Sequence, residues 1–296
     1  MMRAITLQSP AKVNLHLEIG GRRNDGFHDL CSLFQIVSLA DTITVRSLKD
    51  SNNTCSIHGR FSCVSEDNLI CRAYRLFSER YGLKTSVEVT VEKRIPEGAG
   101  LGGGSSNAAT MLKSLRDLFS VPVDNAELAR ISAELGSDVP FFCRSPLALV
   151  TGRGDKVLPL NKPRTLPLVL VLPDFPVSTA DAYRWLDEKR GGDYPMLSAG
   201  SDYASLYERT PDKWTFFNSF TPVLRERYPL IGQLIDTMLS SQALYADVSG
   251  SGSAIFGVFT DEAAARRAAL VLKGKKNLKQ VLTIETLAIF PDSILQ

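Results

Sequence analysis

Val13, Leu15, Leu17 and Ile19 alternate with Lys12, Asn14, His16 and Glu18, the period-two pattern of a half-buried strand. Its polar face carries Lys12 and Asn14 side by side. The turn-rich run Gly20–Gly26 follows, then strands expected at Leu33–Val37 and Thr42–Val45, and a polar, irregular span from Asp50 to Ser65. Asp67 is placed to cap a helix reaching about Tyr81, with Gly82 as its stop. Val87, Val89 and Val91 alternate in a further strand. A glycine-rich loop comes after Arg94-Ile95-Pro96, then a helix from about Ser105 with Ala108, Leu112, Leu115 and Phe119 at helical spacing. Asp124 with Glu127 three residues on gives the next helix a capping-box start, and Gly136 ends it. Leu147–Thr151 and Lys156–Leu160 read as a hairpin around Gly152-Arg153-Gly154-Asp155.

Asn161-Lys162-Pro163-Arg164 is the expected boundary, dividing 1–160 from 161–296. Beyond it the pattern predicts a strand at Leu168–Leu172, a helix over Thr179–Lys189 and an irregular acidic-aromatic region. A helix at Pro222–Leu239, strands at Ala246–Val248 and Ala254–Phe259, a helix capped by Asp261 and a last strand at Val281–Ile289 complete the chain. Strands and helices mix without strict alternation, which favours an α+β fold over a doubly wound sheet.

Composition changes this picture little. A length of 296 residues suits about two domains. Lys plus Arg number 34 against 32 Asp plus Glu, so nothing calls for a nucleic acid or an anionic membrane as partner. The five cysteines (Cys31, Cys55, Cys63, Cys71 and Cys143) form no CxxC pair, which suits free thiols in a reducing cytosol and makes a poor metal site. The start has no long apolar stretch, and Pro167 interrupts the apolar run Leu166–Leu172, far short of the roughly 20 residues of a membrane helix. The expectation is a cytoplasmic protein.

The most informative segment is Pro96-Glu97-Gly98-Ala99-Gly100-Leu101-Gly102-Gly103-Gly104-Ser105-Ser106-Asn107. Backbone without side chains approaches a ligand closely and adopts positive φ. Placed between a strand and a helix, its free N–H groups and the helix dipole favour phosphate, with Ser105 and Ser106 as hydroxyl donors or aids to a magnesium ion. It is not a Walker loop, because Gly98-x4-Gly103 is followed by Gly104 and not lysine. The formal match to the dinucleotide fingerprint lacks the acidic residue that should end the next strand. Arg153-Gly154-Asp155 also spells an adhesion tripeptide, here read as a hairpin turn.

Three segments together resemble the motifs of the GHMP small-molecule kinases: Pro10-Ala11-Lys12-Val13-Asn14-Leu15, Leu101 to Ala109, and Val248-Ser249-Gly250-Ser251-Gly252-Ser253-Ala254. Asp25-Gly26-Phe27-His28, Asp41-Thr42-Ile43, Asn68-Leu69-Ile70 and Gly136-Ser137-Asp138-Val139-Pro140-Phe141-Phe142 are similar to the branch that acts on a cytidine diphosphate conjugate. The resemblance is strong over 8–160 and weaker beyond, apart from 248–257. It implies a two-domain α+β fold with the active site in the cleft between the domains. The N-terminal ATP-binding and catalytic domain would be of the ribosomal protein S5 domain 2-like kind, and the C-terminal domain a ferredoxin-like α/β sandwich. It implies ATP as co-substrate with Mg2+, the loop Pro96–Ser106 and Asn68 on the nucleotide, Asp138 as catalytic base and Lys12 keeping that carboxylate ionised. Asn14, Phe27, His28, Thr179 and Tyr183 would meet the acceptor, Phe27 and Tyr183 stacking on cytosine and His28 bonding its edge. Phe27 stands where the family usually has tyrosine, which keeps stacking and loses any hydroxyl contact. On local sequence alone Asp138 also reads as a helix cap, Lys12 as a surface lysine, Ser249–Gly252 as a tight turn, Asn68 as a first-turn asparagine, and Phe27 and Tyr183 as packing. A sister kinase acting on mevalonate, homoserine or a sugar, and a non-catalytic ATP-binding regulator, are the competing functions.

Overall fold

The computed structural model describes residues 3–50, 52–61, 67–197, 202–291 and, for the backbone, 294–295. Residues 62–66, Cys63 among them, and residues 198–201 of the acidic-aromatic region lie outside the described residues. In the first half, β1 (Ala4–Arg22) and β2 (His28–Ser47) form a long antiparallel pair, followed by β3 (Cys55–His58), α1 (Leu69–Tyr81), β4 (Val87–Glu92), α2 (Gly103–Leu118), α3 (Asn125–Ser132), α4 (Val139–Arg144), β5 (Leu147–Gly152) and β6 (Lys156–Pro159). The second half holds β7 (Pro167–Pro173), α5 (Thr179–Arg190), α6 (Tyr203–Glu208), α7 (Thr221–Arg227), α8 (Pro229–Ser240), β8 (Tyr245–Val248), β9 (Ile255–Val258), α9 (Glu262–Lys273) and β10 (Leu278–Glu285). β11 (Ile294–Leu295) then returns to pair with Ile5 and Thr6 of β1.

The first sheet runs β11-β1-β2-β4-β3, with β5 and β6 branching from β2. β2 is one continuous strand where the sequence suggested two, and it pairs with β5 along Leu30–Gln35 and with β4 along Thr42–Ser47. The second sheet runs β10-β7-β9-β8, all antiparallel, with the βαββαβ order of a ferredoxin-like unit.

Several boundaries differ from the sequence pattern for identifiable reasons. Asn68 rather than Asp67 caps α1, its Oδ1 accepting from Ile70 N at 3.0 Å. α2 begins at Gly103, two residues early, and α3 stops at Ser132 before a turn. The single helix expected over 222–239 is two, because Pro229 lacks the N–H that would continue α7. The span 50–65 contains an edge strand, β3, which pairs parallel to β4.

The largest departure concerns β1. Lys12, Asn14, His16 and Glu18 are as buried as the apolar residues between them. One face packs under the helices of the first half, and the other is covered by the second half. Between the sheets Ala11, Val13, Leu15 and Leu33 meet Leu168, Leu170 and Phe256, with Tyr203, Tyr207, Trp214 and Phe216 filling the remaining space. The acidic-aromatic region is thus a wedge. His16 sits within it, accepting from Phe217 N at Nδ1 (3.3 Å), and burial lowers its pKa to about 4, so the ring is neutral.

Candidate active site

Two register shifts in β1 bracket Lys12 and Asn14, and such bulges re-aim side chains. The Lys12 ammonium donates to Asn14 Oδ1 at 2.6 Å and to Gly100 O at 3.0 Å. It lies 4.7 Å from the Phe34 ring centroid and 3.7 Å from Asp138 Oδ2. Burial pushes the Lys12 pKa down more than the Asp138 charge pulls it up. Asn14 Nδ2 in turn donates to Ser32 Oγ at 2.9 Å, which fixes the amide and leaves Oδ1 toward Lys12.

Asp138 occupies the N-cap position of α4, yet its side chain makes no capping hydrogen bond. Its carboxylate faces Lys12 instead, about one-third exposed. The two readings left open for Asp138 therefore separate: it holds the cap position without doing the capping.

The glycine loop rests on a buried clamp. Asp41 is fully buried; its Oδ1 accepts from Arg94 N and Ile95 N at 2.7 and 2.8 Å, and its Oδ2 from Lys93 Nζ at 2.6 Å. That fixes the exit of β4 into the loop. Gly98, Gly100 and Gly102 then adopt positive φ. At Gly100 a Cβ would lie 2.1 Å from Ser249 O, so only glycine fits between this loop and the turn 249–253. Ser249 Oγ donates to Gly100 O at 3.0 Å, and Ala254 N to Ala99 O at 3.2 Å. The Ser249–Gly252 segment is a turn, and one that lines the cleft from the other side. The first N–H groups of the sixteen-residue helix α2 have no intrahelical acceptor and open toward the loop.

A cavity of about 370 Å³ is lined by Asn68, Lys93, Asn107 and the loop from Pro96 to Ser105, including Glu97, Gly98, Gly103 and Gly104. Ser106 departs from expectation: its Oγ is buried and accepts from Ser9 Oγ at 2.8 Å, on the far side of the helix. A middle cavity of about 200 Å³ holds Lys12, Asn14, Asp138, Thr179, Tyr183 and Ser251. A third, of about 810 Å³, brings Phe27, His28, Asp138, Thr179, Tyr183 and Asp187 together. The middle cavity shares Gly100 and Gly102 with the first and Asp138, Thr179 and Tyr183 with the third, so the three form one continuous cleft.

In the outer cavity Phe27 is 53% exposed, whereas Tyr183 stacks on His28 with centroids 5.0 Å apart and planes at 21°. Thr179 Oγ1 and Ser251 Oγ share a 2.8 Å hydrogen bond that ties α5 to the turn. Burial, with the charges of Asp138 and Asp187, raises the Tyr183 hydroxyl to about 12 and keeps it protonated. The residues sequence reasoning did not assign a role are Lys93 and Asp41, Ser32, Arg153 on the outer rim, and Asp187 beside His28. Asp41-Thr42-Ile43 stood in the motif set, but only the fold brings Asp41 under the loop. Among the described residues no cluster of three or more His, Cys, Asp or Glu could hold a metal, and no helix is long and apolar enough to cross a membrane.

Comparison with known proteins points the same way. Residues 68–145 match the model of the GHMP kinases N terminal domain, and 202–277 that of the GHMP kinases C terminal. A protein of Anaeromyxobacter dehalogenans named 4-diphosphocytidyl-2-C-methyl-D-erythritol kinase is 40% identical over 281 residues, covering 93% of this chain and 86% of its own. The crystal structure of a 4-(cytidine 5'-diphospho)-2C-methyl-D-erythritol kinase superposes with a TM-score of 0.77 at 34% identity, over 95% of this chain and 98% of that one. A homoserine kinase from Cytophaga hutchinsonii reaches a TM-score of 0.75 at 18% identity, over 100% and 97%, which is a likeness of fold alone.

Proposed function

The chain belongs to the GHMP kinases, and from that membership we propose that it moves the γ-phosphoryl group of ATP to the 2-hydroxyl of 4-diphosphocytidyl-2-C-methyl-D-erythritol, a step of the non-mevalonate route to isoprenoid precursors. One observation carries this reading: the Lys12–Asp138 pair stands midway along a continuous cleft, with a glycine-loop cavity at one end and an aromatic-histidine cavity at the other.

Phosphoryl transfer needs a cradle for the phosphates, neutralisation of developing charge and an oriented acceptor. The N–H groups of the glycine loop and the start of α2 supply the cradle, with Ser105 Oγ beside them, and Asn68 lies on the nucleotide side. Mg2+ would arrive as MgATP; Ser105, Glu97 and Asp67 are among the hard oxygen donors lining that cavity, and the ion would neutralise phosphate charge when bound. In the middle cavity the acceptor hydroxyl gives its proton to the Asp138 carboxylate as its oxygen bonds the γ-phosphorus and the bond to ADP breaks. The Lys12 ammonium, steered by Asn14 Oδ1 and Gly100 O, lies where negative charge accumulates on the transferring group. Phe27, His28 and Tyr183, with Thr179 at the start of α5, hold the cytidine end.

We take 1–160 as the N-terminal ATP-binding and catalytic domain and 161–296 as the C-terminal domain, a division supported by β6 ending at Pro159 and β7 starting at Pro167. The partners would be small molecules, with neither nucleic acid nor membrane, and the location cytoplasmic, in keeping with free thiols at Cys31, Cys55, Cys71 and Cys143. A coupled ADP-release assay across candidate acceptors tests the proposal. Turnover is expected with the cytidine diphosphate conjugate and not with mevalonate, homoserine or a hexose. Turnover on one of those alone would move the chain to a sister activity, and none on any acceptor would favour the regulator.

A further inference from the structure

Helix α5 presents Tyr183 and Asp187, four residues apart and hence on one face, to the buried His28 at the start of β2. Tyr183 stacks on the imidazole, and Asp187 Oδ1 comes to 3.1 Å from His28 Nε2. That approach is off the N–H direction, so Nε2 is a buried ring nitrogen without a formed hydrogen bond, on a side chain only 6% exposed. Asp187 is itself held: the Tyr194 hydroxyl donates to the same Oδ1, and the Tyr194 ring lies 5.6 Å from His28. Arg190 stands over Tyr194 at 5.4 Å.

We propose that Asp187, anchored by Tyr194, is a positioning residue that fixes the tautomer of His28 and thereby sets the preference for cytosine over uracil in the acceptor. This rests on the reading that the outer cavity takes the cytidine diphosphate end. A neutral imidazole has one donor and one acceptor nitrogen, and the partner of one decides the role of the other. The carboxylate charge 3.1 Å from Nε2 favours the tautomer with the proton there even without a formed hydrogen bond, which leaves Nδ1 as acceptor for the base. At position 4 cytosine offers an amino donor and uracil a carbonyl acceptor. An acceptor nitrogen pairs with the first and repels the second. Aromatic faces accept either ring equally, so stacking on Phe27 and Tyr183 cannot make this distinction. Selectivity then resides in a carboxylate that does not itself touch the base.

The test compares the cytidine and uridine diphosphate conjugates in wild type, Asp187→Asn, Asp187→Glu and Tyr194→Phe, each first shown by thermal melting to be folded. Asp187→Asn is expected to raise KM for the cytidine conjugate about 10–100-fold and to shrink the cytidine-to-uridine ratio of kcat/KM at least about tenfold, because a mispaired buried polar group carries the discrimination. KM for ATP should hold, since Asp187 is remote from the glycine loop. Asp187→Glu keeps a carboxylate and should recover part of the ratio, which a merely structural role would not produce. Tyr194→Phe should act in the same direction more weakly. A folded Asp187→Asn enzyme whose ratio equals that of a discriminating wild type would overturn the assignment while leaving base recognition intact. A wild type that uses both conjugates equally would overturn base recognition and this inference with it.

Discussion

Exchanging Asp138 for Asn removes one negative charge and keeps the side chain's shape. Helix α4 should tolerate it, because the carboxylate makes no capping bond. At 3.7 Å from Lys12 Nζ, the lost attraction is about 1 kcal/mol with water-like screening and about 4 kcal/mol at an effective dielectric near 20. Asp138 is one-third exposed, so the lower part of that range applies and the protein stays folded. Loss of a general base costs about 10²–10⁴ in turnover, or roughly 3–5 kcal/mol of barrier. That is more than the ion pair provides, so the two effects can be told apart. A second signature concerns Lys12. Burial lowers its pKa and Asp138 is the charge that opposes this, so in the variant the ammonium should lose its proton at lower pH than in wild type. The assay is ADP release at saturating substrates across pH 6–10, with ATP binding followed by calorimetry. Expected are a kcat loss of two to four orders (about 10²–10⁴), near-normal ATP affinity, and residual activity whose alkaline limb has moved down. Turnover within about tenfold of wild type, or a loss of ATP affinity as large as the loss of kcat, would refute the base assignment.

Three further outcomes are expected. Gly100→Ala combines a φ of +77° with a Cβ 2.1 Å from Ser249 O and should cost about 2–5 kcal/mol in chemical denaturation. Gly98→Ala has a φ of +68° and open space around its Cβ, and should cost only about 1–2 kcal/mol; equal losses would remove the steric argument for the loop contact. Lys113 donates to Phe142 O at 2.7 Å, and burial pushes its pKa down to about 8 from 10.5. Between those pH values the unfolded chain holds more protons than the folded one, so this lysine makes stability rise with pH, by about 3 kcal/mol over the window. Denaturation midpoints of wild type and Lys113→Met, compared from pH 7 to 10.5, should therefore diverge with pH, and a constant difference would contradict the burial argument. Phe27→Ala should raise KM for the cytidine conjugate by the equivalent of about 1–3 kcal/mol of lost stacking and leave ATP binding and melting temperature unchanged; a drop in melting temperature would return Phe27 to packing.

The local and periodic features were legible from the chain. Val87–Val91 alternate because one face of β4 meets the helices, Asp124 caps α3 through Glu127 N, and the glycine run sits between a strand and a helix where phosphate chemistry wants it. What failed were inferences needing a second layer. On local pattern alone Lys12 and Glu18 read as a solvated face, because period two reports only that two faces differ, not that the polar one is buried too, Lys12 against Gly100, Phe34 and Asp138. Ser106 looked like a phosphate ligand because it adjoins Ser105, but one step along a helix turns a side chain by about 100°, into the core beside Ser9. The Asp41 clamp on Lys93, Arg94 and Ile95 joins residues more than fifty apart, and no local pattern encodes it. The pairing of His28 with Asp187 likewise depends on how the halves meet.

The wedge between the sheets bears on how the polypeptide is made. Ala11, Val13, Leu15 and Leu33 share a core with Leu168, Leu170, Phe256 and the aromatic residues 203–216 of the second half. Domains ordinarily complete themselves in the order they leave the ribosome. This one cannot do so fully, because a nascent chain that has emerged as far as Leu160 lacks the second-half side chains of that core. β11, which follows the second half, closes an edge against Ile5 and Thr6 of β1. The first half is therefore open to proteases and to aggregation until the second half has emerged. Chains stalled after Leu160 should be cut by limited proteolysis at β1, where the released chain that carries both halves resists.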